Sequence, residues 1–159
     1  MAPVEGNLAI PAEKEKDLEE IIFNTPNEVL IEKGLPIYGK KYRQLRIGNY
    51  GISDIITIKR DIGCLFITIY ELKKDNAGIS AFLQAVRYAK GVKSYMNKRK
   101  PNLLIDIDIV IIGKKIDTHS DYIYLEQFFF SLSNYSFTYG INGMEFKKEY
   151  NYCLTNEGF

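Results

Sequence analysis

Hydrophobic and polar positions change their period several times along the chain, and each change marks an element. Met1–Ala12 shows no periodicity and holds Pro3, Gly6 and Pro11, so it reads as a flexible N-terminal arm. Over Glu13–Glu32, Leu18, Ile21, Ile22, Val29 and Leu30 form an apolar stripe at helical spacing. Pro26 must break or restart that helix near Thr25, because proline has no N–H to donate and disfavours helix in the residue before it. Gly34 and Pro36 end the segment. Tyr42–Ile47 alternates in part and predicts a strand, and Gly48-Asn49-Tyr50-Gly51 supplies turn chemistry. Ile52–Ile58 and Leu65–Leu72, rich in Ile and Thr, predict two strands joined by a hairpin turn at Asp61-Ile62-Gly63.

The period then lengthens. Ala77–Lys98 predicts a long helix whose stripe is Ile79, Phe82, Leu83, Val86, Ala89 and Val92, with Lys and Arg between. Asn102–Ile112 is the clearest strand, and its continuous apolar run from Ile109 predicts a central place in a sheet. Ser120–Leu132 predicts a helix capped by Ser120. Asn134–Tyr139 and Met144–Lys148 flank Gly140-Ile141-Asn142-Gly143 and predict a C-terminal β-hairpin. The sum is an α/β fold with a mixed central sheet flanked by helices, carried by residues 13–159 as a single domain.

Composition narrows the class. At 159 residues, 46% hydrophobic and 26% charged, the chain is neither disordered, collagen-like nor a disulfide scaffold. No apolar run approaches the roughly 18 residues of a membrane span, which predicts no membrane partner. Met1–Lys14 lacks the pattern of a signal peptide. Cys64 and Cys153 carry no metal-ligand spacing, and a reducing, cytoplasmic setting is the simplest reading. The net charge of +1 conceals an asymmetry: −6 over residues 1–32, +11 over 33–115 and −4 over 116–159. A basic centre of that size attracts polyanions, although solvated helix faces would look the same.

Candidate chemistry sits in that basic centre. Asp54 interrupts an apolar strand, and Glu71 and Lys73, two apart, point to one face of the next strand. Carboxylates on apolar strands are costly unless paired or metal-bound. Two of them could share a hard cation such as Mg²⁺, with Lys73 close by. Gln84 and Tyr88, four apart, share a face of the long helix and could project over the same strand ends. A surface carboxylate-lysine pair and a core tyrosine would leave the same traces.

Gly51-Ile52-Ser53-Asp54, Glu71-Leu72-Lys73 and Gln84-Ala85-Val86-Arg87-Tyr88, in that order, resemble the PD-(D/E)XK nuclease superfamily. The resemblance is to the branch with a Gln-x-x-x-Tyr helix motif, as in RecB-type nuclease domains and NucS endonucleases. It spans Glu15–Met96, about half the chain, and includes Glu15-Lys16-Asp17-Leu18 and Thr25-Pro26. Ser53 stands where that pattern often has proline. The resemblance implies a restriction-endonuclease-like core and metal-dependent hydrolysis of phosphodiester bonds in DNA, with RNA also open. It implies Asp54, Glu71 and Glu15 as ligands of Mg²⁺ or Mn²⁺, with Glu19 competing for the part of Glu15. It also implies Lys73 as the catalytic lysine, and Gln84 and Tyr88 as the helix pair that orients the site or contacts DNA.

Lys40, Lys41, Arg43, Arg46, Arg87 and Lys90, followed by Lys93 and Lys98-Arg99-Lys100, suit phosphate contacts that bind without reading sequence. A homodimer would let so small a core span its substrate. His119, the sole histidine, reads as a surface residue, which disfavours histidine-based chemistry, and Cys64 reads as a small core residue. The aromatic residues from Tyr122 to Tyr139 read as core, or as an interface or stacking platform. Two other function classes stay open. One is an inactive nucleic-acid-binding module on the same fold, and the other an assembly protein that uses the aromatic segment.

Overall fold

The computed structural model describes residues 15–117, 119–125 and 131–149. The expected N-terminal arm, Cys153 and the phenylalanines Phe128–Phe130 lie outside the described residues. The order is α1 (Glu15–Asn24), α2 (Asn27–Glu32), β1 (Lys40–Arg46), β2 (Ile52–Asp61), β3 (Cys64–Leu72), β4 (Asn76–Ala77), α3 (Ile79–Arg99), β5 (Leu104–Gly113), β6 (Lys115–Ile116), β7 (Leu132–Gly140) and β8 (Gly143–Glu149). Single 3₁₀ turns stand at Gly48–Tyr50 and Asp121–Tyr124. No described helix is long and apolar enough to cross a membrane.

The first helix breaks where proline demands it. Thr25 closes α1 with its backbone N–H and its hydroxyl, both donated to the Ile21 carbonyl, and α2 restarts after Pro26. The six larger strands form one mixed sheet in the order β1-β2-β3-β5-β7-β8. β2 pairs antiparallel with β1 and β3, β5 lies parallel between β3 and β7, and β8 closes antiparallel on β7. The apolar run of β5 is therefore buried between strands on both sides, as its pattern predicts. The short parallel pair β4–β6 is an addition that two-residue strands do not announce.

Helices cover both faces of the sheet. On one face Leu18, Ile22 and Leu30 of α1 and α2 pack with Ile55, Tyr70, Leu72, Val110, Ile112, Tyr135 and Phe137. On the other, Phe82, Ala85 and Tyr88 of α3 pack with Ile56, Ile67, Ile69, Ile111 and Tyr122. The expected stripe of α3 is thus shifted. Phe82 faces the core, while Ile79, Leu83 and Val86 are exposed, because small Ala81, Ala85 and Gly91 let the helix lie close to the sheet. The aromatic segment is core at Tyr122, Tyr135 and Phe137, whereas Tyr124 is exposed.

Of the expected helix over Ser120–Leu132, the described residues show a 3₁₀ turn at Asp121–Tyr124, followed by a helical Leu125. The turn is capped as expected by Ser120, whose Oγ accepts from the Tyr122 N–H. Residues 126–130 lie outside the described residues, and the expected end at Leu132 is corrected. Leu132 begins β7, where it is buried and pairs with Ile109 of β5. Cys64 is half-buried at the start of β3 and is a free thiol. His119 is exposed, as the sequence predicts.

Gly34 ties the α1–α2 layer to the far edge of the sheet. Its φ is +99°, and a Cβ there would stand 2.1 Å from the Phe146 carbonyl oxygen. The next contact, a bond from the Phe146 N–H to the Lys33 carbonyl, leaves that strand no room to retreat. Gly34→Ala is therefore expected to cost roughly 2–4 kcal/mol in denaturant unfolding. A loss below about 0.5 kcal/mol, the size of an ordinary surface substitution, would contradict this packing.

Candidate active site

The β2–β3 register pairs Ile55 with Tyr70, so one step further Asp54 stands opposite Glu71. Directly opposed residues of antiparallel strands project to the same face. That face is the one α3 covers, since Ile56 and Ile69 continue the two rows beneath it. Asp54 is half-buried, and its Oδ2 accepts the Leu72 N–H at 2.9 Å. Glu71 is 4% exposed.

Two carboxylates this close, in so little water, repel one another and lose hydration. Burial, opposed by the Leu72 N–H, raises the Asp54 pKa to about 6, with the charges of Glu19 and Glu15 adding to it. Burial, then the charge of Asp54, raises Glu71 to about 8. Lys73 acts against both rises and does not cancel them. Its backbone N–H extends the ladder past β3 by donating to the Ile112 carbonyl at 2.8 Å. That places its ammonium 3.6 Å from Glu71 Oε1 and lets it donate to Gln84 Oε1 at 3.1 Å. The other Glu71 oxygen, Oε2, is buried with no hydrogen-bond partner.

The α3 residues close the site from above. Gln84 holds Lys73, and Tyr88, one turn on, is 8% exposed with its pKa raised by burial and by the charges of Glu71 and Asp54. Gly51 lies under the Tyr88 ring: a Cβ on it would stand 3.0 Å from Tyr88 Cε1, and its φ is +119°. A larger residue here would push the tyrosine off the strand ends.

The two candidate glutamates of α1 part company. Glu19 is buried and engaged, accepting from Arg43 Nε at 2.8 Å and from the side-chain amide of Gln44. Glu15, in the first turn, is exposed, and its charge reaches both Asp54 and Glu71. Gln44 carries a signal that no sequence pattern offered. It lies level with Asp54 between the registered pairs Arg43–Ile55 and Leu45–Ser53, and it holds a φ of +50°. Such a conformation in a residue other than glycine concentrates near functional sites.

The basic candidates also divide. Lys41 donates to the Ile22 carbonyl at 3.0 Å and to that of Thr25, and burial lowers its pKa; it serves as the C-terminal cap of α1. Arg43 pairs with Glu19 and lies 5.4 Å over the Phe23 ring. Lys40, Arg46, Arg87 and Lys90 are exposed. β1 and α3 thus carry exposed basic side chains on the strand and helix that adjoin the acidic pair's strands, and α3 has no acidic residue along its length.

The donor set fits a hard divalent cation. It offers two oxygen ligands that burial and mutual repulsion make costly, and one of them is left without a partner. Among the described residues, no three His, Cys, Asp or Glu side chains form a ready-made metal cage. Water, backbone oxygen or a phosphate would complete the shell. Comparison with family models, with curated proteins and with solved structures gives no match.

Proposed function

We propose that this protein is a metal-dependent nuclease that hydrolyses phosphodiester bonds, with DNA as its first candidate substrate, on a restriction-endonuclease-like core. The observation that carries this reading is the opposed pair of half-buried Asp54 and buried Glu71, with the Lys73 ammonium held between Glu71 and Gln84. The mixed sheet flanked by helices agrees with such a core. Asp54 and Glu71 would hold Mg²⁺ or Mn²⁺, with Glu15 entering from the start of α1. When bound, the ion would lower the pKa of a coordinated water and offset phosphate charge.

The chain's own residues do the rest. Lys73 presents a positive charge to the attacking oxygen and the scissile phosphate, and Gln84 fixes its direction. Tyr88, seated on Gly51, walls the site and restricts water. Arg46, Arg87, Lys90 and Lys40 contact backbone phosphates, and Lys41 and Arg43 hold α1, from whose first turn the charge of Glu15 reaches the pair.

The test is cleavage of labelled single-stranded, duplex and branched DNA in Mg²⁺, Mn²⁺ or EDTA. Cutting is expected with either metal and not in EDTA, and Asp54→Asn should lower it on the order of a hundredfold or more. Folded protein that binds DNA and cuts nothing in either metal would overturn the nuclease in favour of a binding module. Equal cutting in EDTA would remove the metal from the mechanism.

A further inference from the structure

On the same face of the sheet, next to the acidic pair, a cavity of about 580 Å³ opens between β1, the Gly48–Tyr50 turn and the second half of α3. Its floor is Ile56, Ile58 and Ile67, and Tyr50 and Tyr95 stand in its walls. The charged residues that line it are Arg46 and Lys98, both basic and both exposed. Asn49 and Ser94 add the few polar groups that a specific site needs. Gly91 brings the turn onto the helix: a Cβ there would meet Ile47 Cγ2 at 2.6 Å and Tyr50 Cδ2 at 2.7 Å. Tyr50 directly precedes Gly51, which seats Tyr88, so the cavity and the acidic pair share a wall.

An apolar slot with aromatic walls and a cationic mouth suits a ligand with a flat apolar body and an anionic handle. We infer that this cavity receives a nucleobase of the strand being cut, with Arg46 and Lys98 taking the flanking phosphates. The inference rests on the nuclease reading for its substrate and extends it to a class. A base stacked and paired within a duplex must first be unpaired and extruded to enter a side cavity, and an already unpaired base escapes that cost. The favoured substrate is therefore a strand with at least one unpaired base. Tyr95 is 53% exposed; the Arg99 guanidinium lies over one face of its ring, 4.5 Å from the centroid, and a base can stack against the ring's opposite face.

The test measures binding by fluorescence anisotropy, with Ca²⁺ replacing Mg²⁺, using the full chain. The probes are a single-stranded oligonucleotide, the same backbone made abasic, and the paired duplex. The single strand is expected to bind about tenfold tighter than the other two. Tyr95→Ala removes the aromatic face and Ser94→Trp fills the cavity; each should abolish that preference and leave duplex binding unchanged. Thermal melting checks that both variants fold, and either folded variant suffices. Three probes bound alike would overturn the inference, as would a preference that survives the folded variants.

The two readings fail separately. If duplex is cut in Mg²⁺ and the probes bind alike, the nuclease stands and the base cavity falls. If Tyr95-dependent binding of single strands occurs and neither Mg²⁺ nor Mn²⁺ supports cutting, the cavity stands and the nuclease falls. A chain that binds none of the probes overturns both.

Discussion

Glu71→Gln should cut nothing, and at pH 8 without metal it should melt at a higher temperature than the wild type. Both effects come from one cause. Burial and the Asp54 charge raise the Glu71 pKa to about 8, from 4.5 in an ordinary setting. A carboxyl raised in this way holds more protons folded than unfolded between those values, so stability falls as pH rises through that window. It is fully present below about 4.5 and lost above about 8. Asp54 acts in the same direction between 3.8 and about 6. The amide of glutamine cannot ionise, so the variant escapes the larger part of this loss. The gain at pH 8 is expected at roughly 1–3 kcal/mol, because the new NH₂ must still find a partner. That corresponds to about 2–4 °C for each kcal/mol in a chain of this size.

The two proteins should converge near pH 4, and Mg²⁺ should raise the melting temperature of the wild type alone, since only a ligand of the folded state stabilises it. Melting curves from pH 4 to pH 8 decide the matter. A wild type that grows more stable over that range would show that Glu71 is not held against Asp54 in a dry site.

Lys73→Ala should lower cleavage on the order of 10²–10³-fold, the usual cost of losing one group aimed at developing charge. Binding to DNA should change by less than about threefold, because the phosphate-contacting side chains of β1 and α3 remain. Single-turnover cleavage and anisotropy on the same preparation separate the two effects. Equal losses in cutting and binding would make Lys73 an ordinary phosphate contact. Lys73→Arg keeps the charge and loses the compact ammonium that fits between Glu71 and Gln84, so it should restore only part of the rate.

Much of the site was legible because its parts sit on regular elements. The period of two placed Glu71 and Lys73 on one face, and the turn at Asp61-Ile62-Gly63 set Asp54 on the neighbouring strand; the register then puts Asp54 opposite Glu71. The spacing of four put Gln84 and Tyr88 on one side of α3. Choosing between Glu15 and Glu19 was not legible. Both lie on the same face of one helix, and only the approach of β1, with Arg43 and Gln44, engages Glu19. Lys41 and Arg43 looked no different in sequence from Arg46 and Arg87. Their neighbours in space, the end of α1 and Glu19, set them to structural work.

The sequence by itself determined the mixed α/β layering, the break at Pro26, the hairpins and the carboxylate–lysine–glutamine–tyrosine set. These follow from periodicity and local turn chemistry, which act over a few residues. Tertiary structure alone decided the exposed half of the α3 stripe, the strand that begins at Leu132, the bent conformation of Gln44 and the cavity walled by Tyr50 and Tyr95. Each of these depends on how closely two distant segments approach. At Gly91 that distance is set by a missing side chain, whose effect appears only where the other segment meets it.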